Sequence, residues 1–493
     1  SPPTCGEIRS MYTQGSCCGA DPAVKVGCKN ERLLSDNFKH EIQNVLKNEV
    51  QPSGTSDPSK LPILDIEVCS GTDCFHECAG NDVFDGSVNC TTDAYFHAAS
   101  INKVYLSLID ARVQTLIDDP GKYSYHTFLA ELFPNFNEIE FKFAEDCNDV
   151  SVDGCHAVGN RNVTLVNAKR KPMVGDLFTE SFGVAQTGFE RYVGAAASLA
   201  SADAGATFGN SLLLNENCVA NLTAIQCLED KLQKVVESGK PILMETEFGV
   251  HSYGTGSAFS MTKMAAMQQA YYNFYDQGLL DDSFHSFSRL LLQDHIGTDI
   301  RPNSCGVTVR EMLHPVDGIT DVSLCNEAGN PHENYAMVTN VDSLTRLMRL
   351  IAHDGRSGDV QLISAHLIRQ IWHNAIDEDE LGVSITTRLN SGLLAFGGMG
   401  GHFGAGLNEM GQGAFDEPTA LNFRTPTTNS PVTGGYWVGV YGTFVGFSDE
   451  ADTTIVYHNS AFFSGMAAYP AFVNRVRRIW IDESARVANA RSL

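Results

Sequence analysis

The segment Tyr95–Leu106, YFHAASINKVYL, contains Ser100-Ile101-Asn102-Lys103 at the start of a helical pattern. Residues i and i+3 of a helix share a face one turn apart, so the Lys103 ammonium can reach the Ser100 oxygen. A serine at a helix N-terminus also feels the positive end of the helix dipole, which favours developing negative charge. A lysine that takes the serine proton needs a lowered pKa, from burial and nearby positive charge. The same spacing recurs at Ser260-Met261-Thr262-Lys263, within SAFSMTKMAAM. Either pair alone more readily describes a helix-capping serine and a solvated lysine. The flanking sequence has to choose between them.

Upstream, residues 33–50, LLSDNFKHEIQNVLKNEV, form an amphipathic helical pattern with Phe38, Ile42, Val45 and Leu46 on one face. LPILDIEVCS and DCFHECAG then read as the two strands of a hairpin. Downstream of Lys103 the helix runs to about Ile117, and LIDDPGKYSYHTFLAELFPNF is a loop followed by a short helix. Residues 145–235 read as surface loops and helices, an elaboration of the main domain. Helical patterns dominate 257–300 and 341–377. The last 60 or so residues switch to strands, GGYWVGVYGTFVGFSDE and DTTIVYHNS, and close with the helix of YPAFVNRVRRIWIDESARV. Strands at both ends and helices between predict an α+β fold. Its antiparallel sheet is built from the N- and C-terminal segments and flanked by helices, with a mostly helical second region. The expected organisation is a Cys-rich extension at 1–30, one domain over 31–485 and a tail at 486–493.

The 493 residues include 34 basic and 59 acidic side chains, a net charge of −25. Such a surface repels nucleic acid and anionic membrane. No run approaches the roughly 20 apolar residues of a membrane span, so a soluble protein is expected. Fourteen cysteines, none after Cys325, suit disulfides in an oxidising compartment. No Cys-x2-Cys pair has the second pair or the His-x3-5-His of a zinc site, so no metal is expected. Asn89, Asn162 and Asn221 begin Asn-x-Ser/Thr sequons. Together these features favour a secreted, glycosylated chain. Its start at Ser1, with no apolar leader, reads as a mature form.

With its flanks, the Ser100 segment resembles the serine β-lactamase/penicillin-binding-protein superfamily, closest to the class C branch that includes β-lactamase-like esterases and D-amino-acid peptidases. The resemblance rests on TTDAYFHAASINK, LIDDP and LAELFP in order, on FGVHSYGTGSAFSMTKMAAM, on VTNVDSLTRLMRLIAHDGRSGDVQLISAHLIRQI, and on Trp437-Val438-Gly439 within GGYWVGVYGTFVGFSDE. It covers roughly 33–485. His402-Phe403-Gly404 is a rival to Trp437-Val438-Gly439 but lacks the flanking strand pattern. The resemblance implies Ser100 as nucleophile, with Lys103 and Tyr253 sharing proton transfer. It implies Ser100 and Val440 N–H groups at the oxyanion, and Trp437, Gly439 and Thr255 on the substrate side. It places Ser260 on a structural helix behind Tyr253. No cofactor is implied.

Two departures set the expected substrate. Thr255 stands where the family motif has asparagine, and Trp437 where many members have lysine or histidine. Trp437 cannot bind a substrate carboxylate as a point charge, and Thr255 lacks an amide that both donates and accepts. A small or peptide-like neutral ester or amide is therefore expected, with esterase activity above β-lactamase activity. The alternative is a catalytically inactive relative that uses the fold, and residues 1–30, for binding at a cell surface.

Overall fold

The computed structural model describes residues 33–50, 52, 60–80, 89–148, 154–158, 161–179, 181–183, 222–244, 247–249, 260–275, 284–302, 337–372, 408–409, 434–439, 442–449, 451–459 and 470–492. The Cys-rich segment 1–30, the sequon asparagine Asn221, and Tyr253, Thr255, His402 and Val440 lie outside them.

Helix α1 (Asp36–Glu49) starts at Ser35, whose Oγ accepts from the Phe38 N–H at 3.1 Å. The expected face, Phe38, Ile42, Val45 and Leu46, is buried. Each such side chain contributes about 1.5–3 kcal/mol when fully buried. Strands β1 (Ile63–Ser70) and β2 (Asp73–Gly80) form the expected hairpin, with Cys69 opposite Cys74 and joined to it. Cys78 is bonded to Cys90, and Cys147 to Cys155. Among the described residues, Glu67, Cys69 and Cys74 are the grouping whose ligand atoms lie close enough for a metal. Both sulfurs are spent in the Cys69–Cys74 disulfide and offer no thiolate ligand. Strand β3 (Phe96–His97) leads through a tight turn into α2 (Asn102–Ile117).

The described part of residues 145–235 departs from the expected loops and helices. Strands β4 (Phe141–Asp146), β5 (Cys155–Val158) and β6 (Arg161–Asn167) form an antiparallel set, and β4 pairs in parallel with β7 (Ile242–Met244). The β-branched residues Val163, Thr164 and Val166 favour that extended backbone. Asn162, a sequon residue, sits half-buried in β6. Between β6 and β7 lies α3 (Ala224–Ser238), where Thr223 and Gln226 form a capping box and Gly239 supplies the left-handed C-cap.

Helix α4 (Ser260–Phe274) packs on α2 and α3. Strands β8 (Arg301–Pro302) and β9 (Met337–Thr339) join β3 in a three-stranded sheet of order β3-β9-β8. Asn340 caps α5 (Val341–Ala352) by accepting from the Ser343 N–H at 2.9 Å. The small hairpin β10 (Arg356–Ser357) and β11 (Val360–Gln361) leads to α6 (Ala365–Trp372). After β12 (Asn408–Glu409) come β13 (Gly434–Gly439), β14 (Thr443–Ser448) and β15 (Thr453–His458). The closing helix α7 (Pro470–Ser492) continues through most of the expected tail.

The main sheet has the order β12-β13-β14-β15-β1-β2, antiparallel throughout, so N- and C-terminal strands share it as expected. One face, with Ile66, Phe444, Ile455 and Tyr457, packs against Phe38 of α1 and Trp480 of α7. The other, with Trp437, Val445, Phe447 and Val456, meets the helical region. The ends are also tied by polar contacts. The Ser35 N–H and Oγ donate to Glu483 at 2.6 and 2.9 Å, and Arg486 donates to the same carboxylate. Burial alone would raise the Glu483 pKa, but the donors of Arg486 and Ser35 hold it below its usual value.

Helix α2 is buried nearly all round and carries the polar residue Asp110 at 0% exposure. Asp110 accepts from Tyr123 Oη at 2.5 Å and Gln114 Nε2 at 2.7 Å. Burial outweighs these donors and pushes its pKa up from 3.8 to about 6. A raised folded-state value means that the native state binds the proton more tightly. The resulting stabilisation is complete below the unfolded value of 3.8 and is lost as the pH rises through about 6. Asp110→Asn is expected to remove this pH dependence. The wild type should lose about 3 kcal/mol more than the variant between about pH 4 and about pH 7, in denaturant titrations across that range.

Candidate active site

The turn that carries Ser100 is set by backbone bonds on both sides. Phe96 and His97 pair with Thr339 and Val338. The Ala98 N–H donates to the Met337 carbonyl at 2.9 Å, and the Ile101 N–H to the Ala98 carbonyl at 3.1 Å. The chain then turns through the short 3-10 segment Ala99–Ile101 into α2. Ile101, Val104 and Leu108 anchor that helix in the core. Ser100 is left half-buried at the helix start, in the field of its N-terminus. Lys103, only 6% exposed, donates from Nζ to Ser100 Oγ at 3.0 Å. The local i, i+3 geometry thus joins the two residues that the spacing picks out.

Strand β13 comes up against this turn. A Cβ built on Gly439 would lie 2.7 Å from the Ala98 carbonyl oxygen, 3.3 Å from Thr443 Cβ and 3.4 Å from Ile101 Cγ1. Only glycine allows so close an approach. Two residues earlier, Trp437 is 1% exposed, and its Nε1 donates to the Ser100 carbonyl at 3.0 Å. The residue expected to face substrate thus spends its only side-chain donor on the backbone of Ser100. The Gly442 N–H donates to the Gly439 carbonyl at 3.0 Å.

Beside the turn, Tyr95 Oη donates to Asp299 Oδ2 at 2.5 Å, and Arg301 both pairs with Asp299 and covers the Tyr95 ring at 5.0 Å. Burial and the Asp299 carboxylate push the Tyr95 hydroxyl up to about 12, which makes it a poor base at neutral pH. In the second Ser-x-x-Lys segment, Lys263 is buried on α4 with its Nζ 5.5 Å from the centre of the Phe178 ring. Ser100, Lys103, Trp437 and Gly439 are therefore together in one place. Tyr253, Thr255 and Val440 are not among the described residues.

Neither a protein-family model nor a curated protein matches the sequence. Solved structures do match the architecture. A simvastatin synthase variant (LovD6) from Aspergillus terreus superposes with a TM-score of 0.55 at 13% identity, over 97% of this chain and all (100%) of its own. EstCE1, a hydrolase with promiscuous acyltransferase activity, gives 0.54 at 13%, over 89% and 98%. A penicillin-binding-protein homologue from Caulobacter crescentus gives 0.53 at 12%, over 90% and 97%. The chain has the penicillin-binding-protein/β-lactamase fold.

In this fold the strand order puts β13, the strand of Trp437 and Gly439, beside the turn that starts α2. The sequence reading missed Phe96, Thr443 and His458 next to it. Phe96 stacks on His458 with ring centroids 3.9 Å apart, and His458 Nδ1 lies 3.0 Å from Thr443 Oγ1. Nothing in their spacing along the chain signals these contacts. Within the β-lactamase fold the Gly439 contact is steric, so Gly439→Ala is expected to cost about 1–3 kcal/mol of stability by overpacking. The same substitution should alter the Trp437 signal in tryptophan fluorescence as β13 moves off the Ser100 carbonyl. Unchanged emission and an unchanged denaturation midpoint would show that the close approach does not hold the strand.

Proposed function

We propose that the protein is a secreted serine hydrolase that cleaves an ester or amide through an acyl-enzyme on Ser100. The observation that carries this reading is the buried Lys103 Nζ at 3.0 Å from Ser100 Oγ, at a helix N-terminus and under a glycine strand. In the first step Ser100 Oγ attacks the substrate carbonyl, and its proton passes to Lys103 in its neutral form, with Tyr253 sharing the transfer. The developing oxyanion accepts from the Ser100 and Val440 N–H groups. Collapse breaks the bond to the leaving group, which takes the proton. Water then attacks the acyl-enzyme with the same residues acting in reverse and releases the acid. Trp437 serves this cycle by holding the Ser100 carbonyl, and so the turn, in place.

Support comes from enzymes with this fold whose described activities include a hydrolase with acyltransferase activity and a D-amino-acid amidase from Ochrobactrum anthropi SV3. The disulfides and the sequons at Asn89, Asn162 and Asn221 support a secretory route. Among the described residues no helix is long and apolar enough to cross a membrane. A net charge of −25 disfavours nucleic acid.

A fluorophosphonate probe should label the wild type at Ser100 and fail on Ser100→Ala, with the site mapped by mass spectrometry. Lys103→Ala should slow labelling by at least about 100-fold, the usual scale of general acid–base catalysis. Labelling that survives Ser100→Ala, or that maps to Ser260, would overturn the assignment. Absence of any labelling would favour the binding-protein alternative.

Substrate preference is a separate matter. Position 437 offers no lysine to bind a carboxylate, and Thr255 offers a hydroxyl in place of an amide, which favours a neutral ester. Turnover of a short-chain p-nitrophenyl ester should exceed that of nitrocefin by at least about tenfold in kcat/KM, a difference of about 1.4 kcal/mol in transition-state binding. The reverse ranking would identify a β-lactam substrate.

A further inference from the structure

We infer that His458 and Thr443 are positioning residues that clamp the end of β13 and the start of β14, at Gly439 and Gly442, to the strand leading into Ser100. This rests on the acyl-enzyme reading above. Gly439 faces Thr443 across β13 and β14, Thr443 faces His458 across β14 and β15, and His458 faces Asp65 across β15 and β1. These four residues therefore form one row on one face of the sheet. At its inner end, Asp65 Oδ1 pairs with His76 Nε2 at 2.8 Å. At its other end lies Gly439, the last residue of β13.

His458 touches both halves of the site. Its ring lies flat on Phe96, with an interplanar angle of 5°, and Phe96 precedes Ser100 by four positions on the same short strand and turn. Its Nδ1 shares a hydrogen bond with Thr443 Oγ1 at 3.0 Å. The next residue extends the grip, because the Asn459 N–H donates to the Gly442 carbonyl at 3.2 Å. Phe96, Thr443, His458 and Asn459 are all buried.

Two apolar side chains could fill this space without desolvating a hydroxyl and an imidazole. Packing alone, however, is non-directional, whereas the bond at Nδ1 fixes where the start of β14 sits relative to Phe96. The N–H groups of Ser100 and Val440 belong to segments far apart in sequence. Both must point at one oxygen, and sub-ångström placement matters there. The clamp acts through Phe96 on one side and Gly439 on the other.

The test uses Thr443→Val, Thr443→Ser, His458→Phe and the double variant Thr443→Val/His458→Phe. The readouts are ester kcat and KM, the fluorophosphonate labelling rate and the melting temperature. Thr443→Val and His458→Phe should each lower kcat and labelling by about tenfold with KM within about twofold, as expected for misplaced oxyanion donors. Thr443→Ser, which restores the hydroxyl, should recover most of the rate. The double variant should be no slower than the slower single one, because both remove the same bond. The inference is overturned if Thr443→Val keeps wild-type kcat, or if Thr443→Ser is as slow as Thr443→Val. It is also overturned if the losses follow only the unfolded fraction. If His458→Phe does not fold, the valine and serine variants decide. Should the wild type carry no reactive Ser100, the hydrolase reading fails and the clamp is read by hydrogen exchange instead. Thr443→Val must then speed exchange in both 95–104 and 434–448, and unchanged protection in either segment overturns it.

Discussion

The structure turns on one close approach, that of Gly439 to the Ala98 carbonyl. It brings β13 onto the turn that begins α2, so that the Trp437 indole can reach the Ser100 carbonyl. Several other features are conditions for it. The turn must be rigid, which the pairing of β3 with β9 provides. Helix α2 must be fixed along its length, which burial on nearly every side provides. Strand β13 must be held by β14, and that strand is in turn held through His458 to Phe96. A side chain at 439 would push against backbone on one side and against β14 on the other, with no flexible group to give way.

The sheet that presents β13 is closed by segments from opposite ends of the chain. Strand β1 pairs with β15, and Ser35 is joined to Glu483, 448 positions away. Bringing such distant segments together has an entropic cost that local contacts cannot repay, so the sheet depends on extensive burial on both faces. One face is covered by α1 and α7, whose Phe38 and Trp480 meet Ile66, Phe444 and Tyr457. The other is covered by α5 and the helical region around α2. The site lies where that second cover meets the end of β13.

Polar groups are buried along α2 itself. Lys103 near its start and Asp110 two turns on are both shielded from solvent. An isolated buried charge is costly, and each is met by specific partners, Ser100 Oγ for Lys103 and the donors of Tyr123 and Gln114 for Asp110. Asp110 moves toward its neutral form because its donors do not offset burial. In an apolar helix these groups are out of place as packing, and burial sets the Lys103–Ser100 hydrogen bond in a low-dielectric environment where it is stronger than in water.

Much of this was legible in the chain. The 3.6-residue period of Phe38, Ile42, Val45 and Leu46 determined α1. The apolar, β-branched and aromatic runs beside Gly71, and again in GGYWVGVYGTFVGFSDE and DTTIVYHNS, determined the hairpin and the last strands. The α+β class followed from strands at both ends. The strands at 155–158 and 161–167 were not legible, because short runs such as NVTLVN carry no period that separates a strand from a loop. The Ser-x-x-Lys spacing determined that Lys103 could reach Ser100, since three positions along a helix bring side chains together wherever the helix lies. It said the same of Ser260 and Lys263. The order of the flanking motifs favoured the first pair, and the tertiary structure adds a physical difference, with Trp437 set against Ser100 from 337 positions away while Lys263 lies over the Phe178 ring. A one-turn spacing is a local property and recurs freely, whereas a contact across most of the chain exists only once the sheet has closed.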